Sequence, residues 1–225
     1  LDKATFVDLF CCQGAATKGY EDAGLKVLAG VDRMPQPRYA DQGWLFIQQD
    51  ALEWLRANKV WIRKHVKLIH GSPPCQGYSI TQQIQGNDHP LLIEPLREIL
   101  EEIGVAYVIE NVEEARWAMK DPVTLCGAMF PGLHTYRHRL FETGNGFVLE
   151  QPEEPEHLHR TVKMGRRLKP GDWYHAVGHF SGTEYIREDM GVPWMTREGI
   201  RECIPPVYTK YVGEAFLAHL KESGS

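Results

Sequence analysis

Apolar residues along this chain fall into short runs of strand length, and stretches with helical spacing lie between several of them. Residues 5–10 (TFVDLF), 27–31 (VLAGV), 43–48 (GWLFIQ), 66–69 (VKLI) and 105–109 (VAYVI) are the short runs. Helices are expected over 17–23, closed by Gly24, over 51–57, and around 60–64. A further helix is expected over 90–103, where Leu92, Leu96, Ile99 and Leu100 share a face and Gly104 ends it. Strand and helix in alternation predict a parallel α/β sheet. Two more strands, 123–130 and 137–142, are joined by Pro131-Gly132. A last helix over 207–220 puts Val212, Phe216 and Leu220 on one side. It is expected to return and pack near the first strand.

The pattern weakens between 144 and 192, where Gly, Pro, His and charged residues dominate. The chain therefore divides into 1–143, a main α/β domain; 144–195, a small irregular lobe; and 196–225, C-terminal helices that rejoin the main domain. A long surface insertion fits the middle stretch as an alternative. A length of 225 residues suits one domain with an appendage, and 43% hydrophobic residues can fill a core. No apolar run approaches the ~20 residues of a membrane span. No charged-then-apolar leader stands at Leu1, so a cytoplasmic protein is expected.

The five cysteines, at 11, 12, 75, 126 and 203, are odd in number and lack paired Cys-x-x-Cys spacing. A disulfide framework is not expected. His134, His138, His157 and His159 have no cysteine or carboxylate partner at zinc spacing, so no metal is expected either. The net charge of −5 means that any nucleic-acid contact needs a local basic patch. Residues 157–169 (HLHRTVKMGRRLK) offer one in Arg160, Lys163, Arg166, Arg167 and Lys169, with Trp173, Tyr174, His175 and His179 close behind. The same residues also fit a solvated loop balanced by Glu153, Glu154 and Glu156.

The chemistry concentrates where strands end. Gly71-Ser72-Pro73-Pro74-Cys75-Gln76-Gly77-Tyr78-Ser79 follows the fourth run, and its prolines stop the strand just before a thiol. Ligands of such sheets bind at the carboxyl ends of the strands. Asp8-Leu9-Phe10-Cys11-Cys12-Gln13-Gly14 joins strand to helix through a tight turn, whose backbone N–H groups can hold a carboxylate. Asp32 closes the second strand, where an acidic residue can bind ribose hydroxyls, and Asp50 closes the third, where one can accept from an adenine amino group. Each alone also fits a helix N-cap. Glu110-Asn111-Val112 ends the fifth strand, beside Cys75 if those strands are neighbours, and burial there raises a carboxyl's proton affinity. Arg137 and Arg139 are alternate residues and would share one strand face.

In this order the motifs resemble the cytosine-C5 DNA methyltransferases across nearly the whole chain, and most closely the short, phage-type members. Asp8 to Gly14 resembles that family's cofactor loop, Pro74-Cys75-Gln76 its nucleophile loop, Glu110-Asn111-Val112 its base-holding motif, and Arg137-x-Arg139 its paired arginines. Ile204-Pro205-Pro206-Val207-Tyr208 with Val212-Gly213 resembles its closing motif. Cys12 and Ala15 stand where the family usually has glycine, and Glu214-Ala215 where it usually has Asn-Ser. The resemblance implies a Rossmann-like class I methyltransferase sheet that uses S-adenosyl-L-methionine. It implies catalytic roles for Cys75, Glu110, Arg137 and Arg139, and cofactor contacts from Asp8, Phe10, Gln13, Gly14, Asp32, Asp50 and Pro74. The substrate would be double-stranded DNA, held by Gln76, Ser79, Arg160, Lys163, Arg166 and Arg167, with residues 144–195 as a small target-recognition lobe. Such a lobe implies a short or relaxed target, and a monomer is expected. An RNA cytosine-C5 methyltransferase and a non-catalytic DNA-binding relative remain open as alternatives.

Overall fold

The computed structural model describes residues 3–78, 90–163, 165–178 and 180–224. Seven strands form one sheet: β1 (Thr5–Leu9), β2 (Lys26–Asp32), β3 (Phe46–Gln48), β4 (Leu68–Gly71), β5 (Ala106–Asn111), β6 (Val123–Leu125) and β7 (Arg139–Gly144). Their order is β3-β2-β1-β4-β5-β7-β6. The first five pair in parallel, and β7 runs antiparallel to both β5 and β6. This is a doubly wound α/β sheet with an antiparallel edge hairpin, and the alternation of strand and helix predicts its parallel part. Its strand order reverses between β1 and β4, which opens a crevice at their carboxyl ends.

Side-chain alternation divides the apolar residues between the two faces. Val7, Leu9, Ile69 and Ile109 pack with α3 (Ala51–His65) and α4 (Ile93–Ile103). Phe6, Leu68, Val108 and Phe141 pack on the other face with α1 (Ala15–Ala23) and α7 (Pro206–Glu222). The returning helix lies against α1 and so behind β1. Gly19 permits this approach, because a Cβ there would stand 2.0 Å from the Pro206 carbonyl. Thr209 Oγ1 bridges the two helices by donating to the Ala16 carbonyl at 3.0 Å.

Several boundaries differ from the sequence reading. The two segments expected at 51–57 and 60–64 form one helix, since nothing between them breaks it. The sixth strand stops at Leu125 rather than running to 130. Gly127 is then pressed so close to the Thr135 carbonyl that a Cβ would lie 1.7 Å from it, and a 3-10 turn forms at Gly127–Met129. The seventh strand begins at Arg139, because Arg137 has φ 24 and leaves the extended path. Within the stretch read as irregular, Thr183–Met190 is a helix, α5, enclosed by left-handed Gly182 and Gly191. It is short and buries only Ile186 and Met190, so it leaves little periodic trace. The remaining α-helices among the described residues are a single turn, α2 (Pro37–Ala40), and α6 (Arg197–Glu202). Residues of the 144–195 stretch, among them Phe147, Tyr174, Phe180, Ile186 and Met195, join the apolar cluster on the α1/α7 face. No helix among the described residues is long and apolar enough to cross a membrane.

The same alternation aligns a buried polar row. Asp8, His70 and Glu110 follow Phe6, Leu68 and Val108 two residues on, and so share the α1/α7 face. Burial holds the His70 imidazole down at about 3 and pushes the Asp8 carboxyl up to about 7. His70 therefore contributes stability that is full above its ordinary value of 6.5 and is lost as pH falls toward about 3. Asp8 acts oppositely: its contribution is full below 3.8 and is lost as pH rises through about 7. Between 6.5 and 3.8 the two oppose each other. In His70→Asn the His70 dependence is gone while that of the buried carboxyls remains, so this variant should lose its stability deficit relative to wild type progressively as pH falls across that window. Urea unfolding of both proteins at matched pH checks this, and a constant difference between them contradicts it.

Candidate active site

Cys75 lies just past the end of β4 and is half-buried. Pro73 is buried and Pro74 exposed, and the Tyr78 N–H donates to the Cys75 carbonyl at 3.0 Å, closing a tight turn around the thiol. The loop is tied to the neighbouring strand. Asn111 Nδ2 donates to the Pro73 carbonyl at 2.9 Å, so Glu110 and the cysteine loop are held together by the residue that follows the glutamate. The expected adjacency of β4 and β5 is present.

Glu110 is buried to 6% exposure, and Arg139 Nε stands 3.2 Å from its Oε1. Burial raises the Glu110 proton affinity, and the Arg139 charge, a hydrogen bond with Ser72 and the Arg137 charge oppose that rise. Burial also raises the Cys75 thiol, with Glu110 adding to the rise and Arg139 opposing it. Thiol and carboxyl are therefore electrostatically coupled. A proton on Glu110 removes the negative charge that disfavours a thiolate at Cys75.

Behind Glu110 runs a buried relay that the linear motifs did not expose. Tyr20 Oη meets His70 Nδ1 at 3.0 Å, and His70 Nε2 meets Ser72 Oγ at 2.9 Å. Ser72 in turn reaches the Glu110 carboxyl. The only sign in the sequence is a histidine placed two residues after an apolar strand position, on the alternation that also carries Glu110.

The paired arginines do not share a strand face. Arg139 begins β7, holds Glu110 and donates through Nη1 to the His138 carbonyl at 2.7 Å. Its Nη2 has no partner among the described residues. Arg137 is a buried bracket. Its Nε donates to the Cys203 carbonyl at 2.9 Å and its Nη1 to Ala176 at 3.0 Å, while Nη2 reaches Arg201 at 2.7 Å and Cys203 at 2.6 Å. Burial lowers the Arg137 guanidinium to about 10. It ties the hairpin to the loop before α5 and to the end of α6, and these backbone carbonyls engage all three of its nitrogens.

The other strand ends meet the crevice beside β1. Asp32 accepts from the Cys12 N–H at 3.1 Å and from the Met34 N–H at 2.9 Å, which shapes the turn after β1. Cys12 and Phe10 both have positive φ, 45 and 57, and glycine at the former would carry no strain. Gly14 is left-handed at the start of α1, and no side chain caps that first turn, so its N–H groups remain for an anion. Asp50 does cap α3, with Oδ1 accepting from Leu52 and Glu53 at 3.0 Å, while Oδ2 takes no hydrogen bond among the described residues. Asp8 is turned inward and accepts from Thr17 Oγ1 at 2.6 Å. Gln13 is also engaged: its amide pairs with Thr196 through Nε2 at 2.9 Å and Oε1 at 2.8 Å. An uncapped helix start flanked by two strand-end carboxylates is a donor and acceptor set that fits an amino-acid carboxylate joined to a nucleoside.

Gln76 is half-buried at the turn after Cys75, and Ser79 lies outside the described residues. Arg160, Lys163, Arg166 and Arg167 are exposed, and none of them has an ion-pair partner among the described residues. They sit around a loop closed where the Val162 N–H donates to the Trp173 carbonyl at 2.7 Å.

No protein-family model matches the chain. The type II methyltransferase M.AquIA of Picosynechococcus sp. is 24% identical over 210 residues, which cover 73% of this chain and 83% of that protein. The type II methylase M.HgiDII of Herpetosiphon aurantiacus is 32% identical over 117 residues, covering 49% of this chain and 33% of that protein, so this match spans about a third of the relative's length. In fold, a DNA modification methyltransferase encoded within an E. coli prophage superposes with a TM-score of 0.63 at 15% identity, covering 97% of this chain and 100% of that one. By sequence the chain is similar to type II methyltransferases and by fold to a DNA modification methyltransferase, and both likenesses are consistent with the cytosine-C5 family that its motifs resemble.

Proposed function

We propose that this protein transfers a methyl group to carbon 5 of cytosine in double-stranded DNA, through a covalent Cys75 adduct on a base turned out of the duplex. The observation that carries this reading is the buried Glu110–Arg139 pair set beside a thiol at the end of β4. Bound S-adenosylmethionine supplies an electrophilic methyl group. Carbon 5 of cytosine is a poor nucleophile until the ring is activated. The Cys75 thiolate adds to C6, forming the S–C6 bond and moving electron density toward N3 and C5. Protonated Glu110 donates to N3 and neutralises the charge that builds there. Arg139 holds Glu110 and offers its spare Nη2 to the ring carbonyl. After C5 accepts the methyl group, loss of the C5 proton and breakage of the S–C6 bond return the aromatic ring and the free thiolate. Arg137 supports the site as a positioning residue.

In this reading Asp32, Asp50 and the N–H groups at the start of α1 hold the cofactor, with Phe10, Gly14 and Pro74 around it. Asp8 and Gln13 brace the loop. The base must leave the helix to reach Cys75, and Gln76 and Ser79 belong to the loop that would cover it. Residues 144–195 supply target recognition, and the enzyme acts as a monomer in the cytoplasm.

The test is methylation of duplex DNA and of tRNA with radiolabelled cofactor, followed by nucleoside analysis. Wild type should yield 5-methylcytosine from DNA. Cys75→Ala should yield none, and Glu110→Gln should be slower by about two to three orders of magnitude, the scale of a lost charge-stabilising donor. Methyl groups on exocyclic amines, or on tRNA alone, contradict the proposal.

The exposed arginines generate a second expectation. Phosphate contacts position a protein without reading sequence. Replacing Arg166 and Arg167 by Ala should weaken DNA binding on all sequences and reduce the slope of log affinity against log salt by about 0.9 for each phosphate no longer neutralised. The preferred site should stay the same. A short target, of about two to four base pairs at ~1–3 kcal/mol per good base contact, fits so small a lobe. Binding isotherms across salt concentrations check the slope, and mapping every methylated cytosine on genomic DNA checks the site.

A further inference from the structure

Three segments far apart in sequence bring a thiol and two imidazoles together beside the hairpin. Leu125 of β6 pairs with Arg139 of β7, so the next residues outward, Cys126 and His138, face each other across the hairpin's end. His157 arrives from the 144–195 stretch, with its Nε2 3.3 Å from Cys126 Sγ. One ligand atom from each of Cys126, His138 and His157 lies within 4.8 Å of the other two.

The surroundings hold these groups in place. Glu113 Oε2 lies 3.5 Å from His138 Nδ1, which leaves Nε2 of that ring as the ligand atom. A carboxylate behind a histidine is the usual support of a metal-bound imidazole. The His157 ring stacks on Tyr136 with centroids 3.9 Å apart. The Tyr136 hydroxyl both accepts from the His159 N–H and donates to the His159 carbonyl, each at 2.8 Å, which fixes the segment that carries His157.

We propose that Cys126, His138 and His157 bind one Zn²⁺ ion. A thiolate with two imidazoles is a donor set that zinc favours over harder cations. Bond lengths of ~2.3 Å to sulfur and ~2.0–2.1 Å to nitrogen put tetrahedral ligand atoms roughly 3.5 Å apart. The Cys126–His157 separation already matches that, and the third ligand needs a small closure. Binding displaces the thiol proton to solvent and forms the S–Zn bond, with no change of oxidation state. The fourth position is left for water. The ion would pin the 144–195 stretch to the hairpin that carries Arg139. The inference does not rest on the methyltransferase reading, since neither the ligands nor the readouts involve methyl transfer.

The test uses the full chain, stripped with chelator, reloaded with zinc, passed through gel filtration and measured by elemental analysis. Wild type should retain about one equivalent, and Cys126→Ser and His157→Ala should each retain less than about a tenth. His159→Ala, whose ring stacks on Trp173, should retain the full equivalent. Cobalt substitution gives an independent readout: wild type should show a thiolate-to-cobalt charge-transfer band that Cys126→Ser lacks. Thermal unfolding of metal-free variants should match that of metal-free wild type, which separates a lost ligand from a lost fold. Wild type that retains no zinc and shows no cobalt band overturns the proposal, leaving a Cys126–His157 hydrogen bond in its place. A full equivalent retained in both ligand variants also overturns it.

Discussion

The site depends on one buried carboxyl. Glu110 sits in the sheet interior with Arg139 on one side and Ser72 on the other, and burial draws it toward its protonated form while the guanidinium draws it back. Breaking such a pair by removing the arginine costs on the order of 3–5 kcal/mol, because a buried charge is left alone. The neighbouring elements meet that constraint. β7 must run antiparallel beside β5 to deliver Arg139, the loop after β4 must hold Ser72 and Cys75 close, and Asn111 fastens that loop to the strand carrying Glu110. Fold and chemistry are coupled at this point: the same alternation that buries Val108 also buries Glu110.

The relay from Tyr20 through His70 and Ser72 extends the constraint across the sheet to α1. Its imidazole is neutral at physiological pH, so it can accept from one hydroxyl and donate to the other without burying a charge. The helix supplying Tyr20 is itself held by α7, through the close approach at Gly19 and the Thr209 bridge. The chain's last helix thus supports the floor of a site formed by its first half.

Much of this was legible in the sequence because it follows from short-range rules. Short apolar runs located the strands, Gly24 and Gly104 ended their helices, and the Pro-Pro-Cys loop fell at a strand end. What escaped is non-local. Arg137 and Arg139 read as one face of a strand, but the backbone turns at Arg137, and its guanidinium serves four carbonyls that no local pattern identifies. The bidentate Arg97–Glu142 pair, at 2.6 and 2.7 Å, joins a helix face read as apolar to a strand read as an edge. Asp50 belongs to both readings, capping α3 with one oxygen while the other takes no hydrogen bond among the described residues. The Cys126, His138 and His157 cluster has no linear spacing because its members come from two strand ends and a distant loop.

The central claim is that Cys75 is the nucleophile and that Glu110 governs it. The most direct measurement is the intact mass of the protein after reaction with cofactor and duplex DNA carrying 5-fluorocytosine, since fluorine at C5 cannot leave as a proton and the S–C6 bond cannot then break. The account predicts a covalent protein–DNA complex whose crosslinked peptide contains Cys75, and its absence in Cys75→Ala. A crosslink at any other residue, or one that persists in Cys75→Ala, contradicts it.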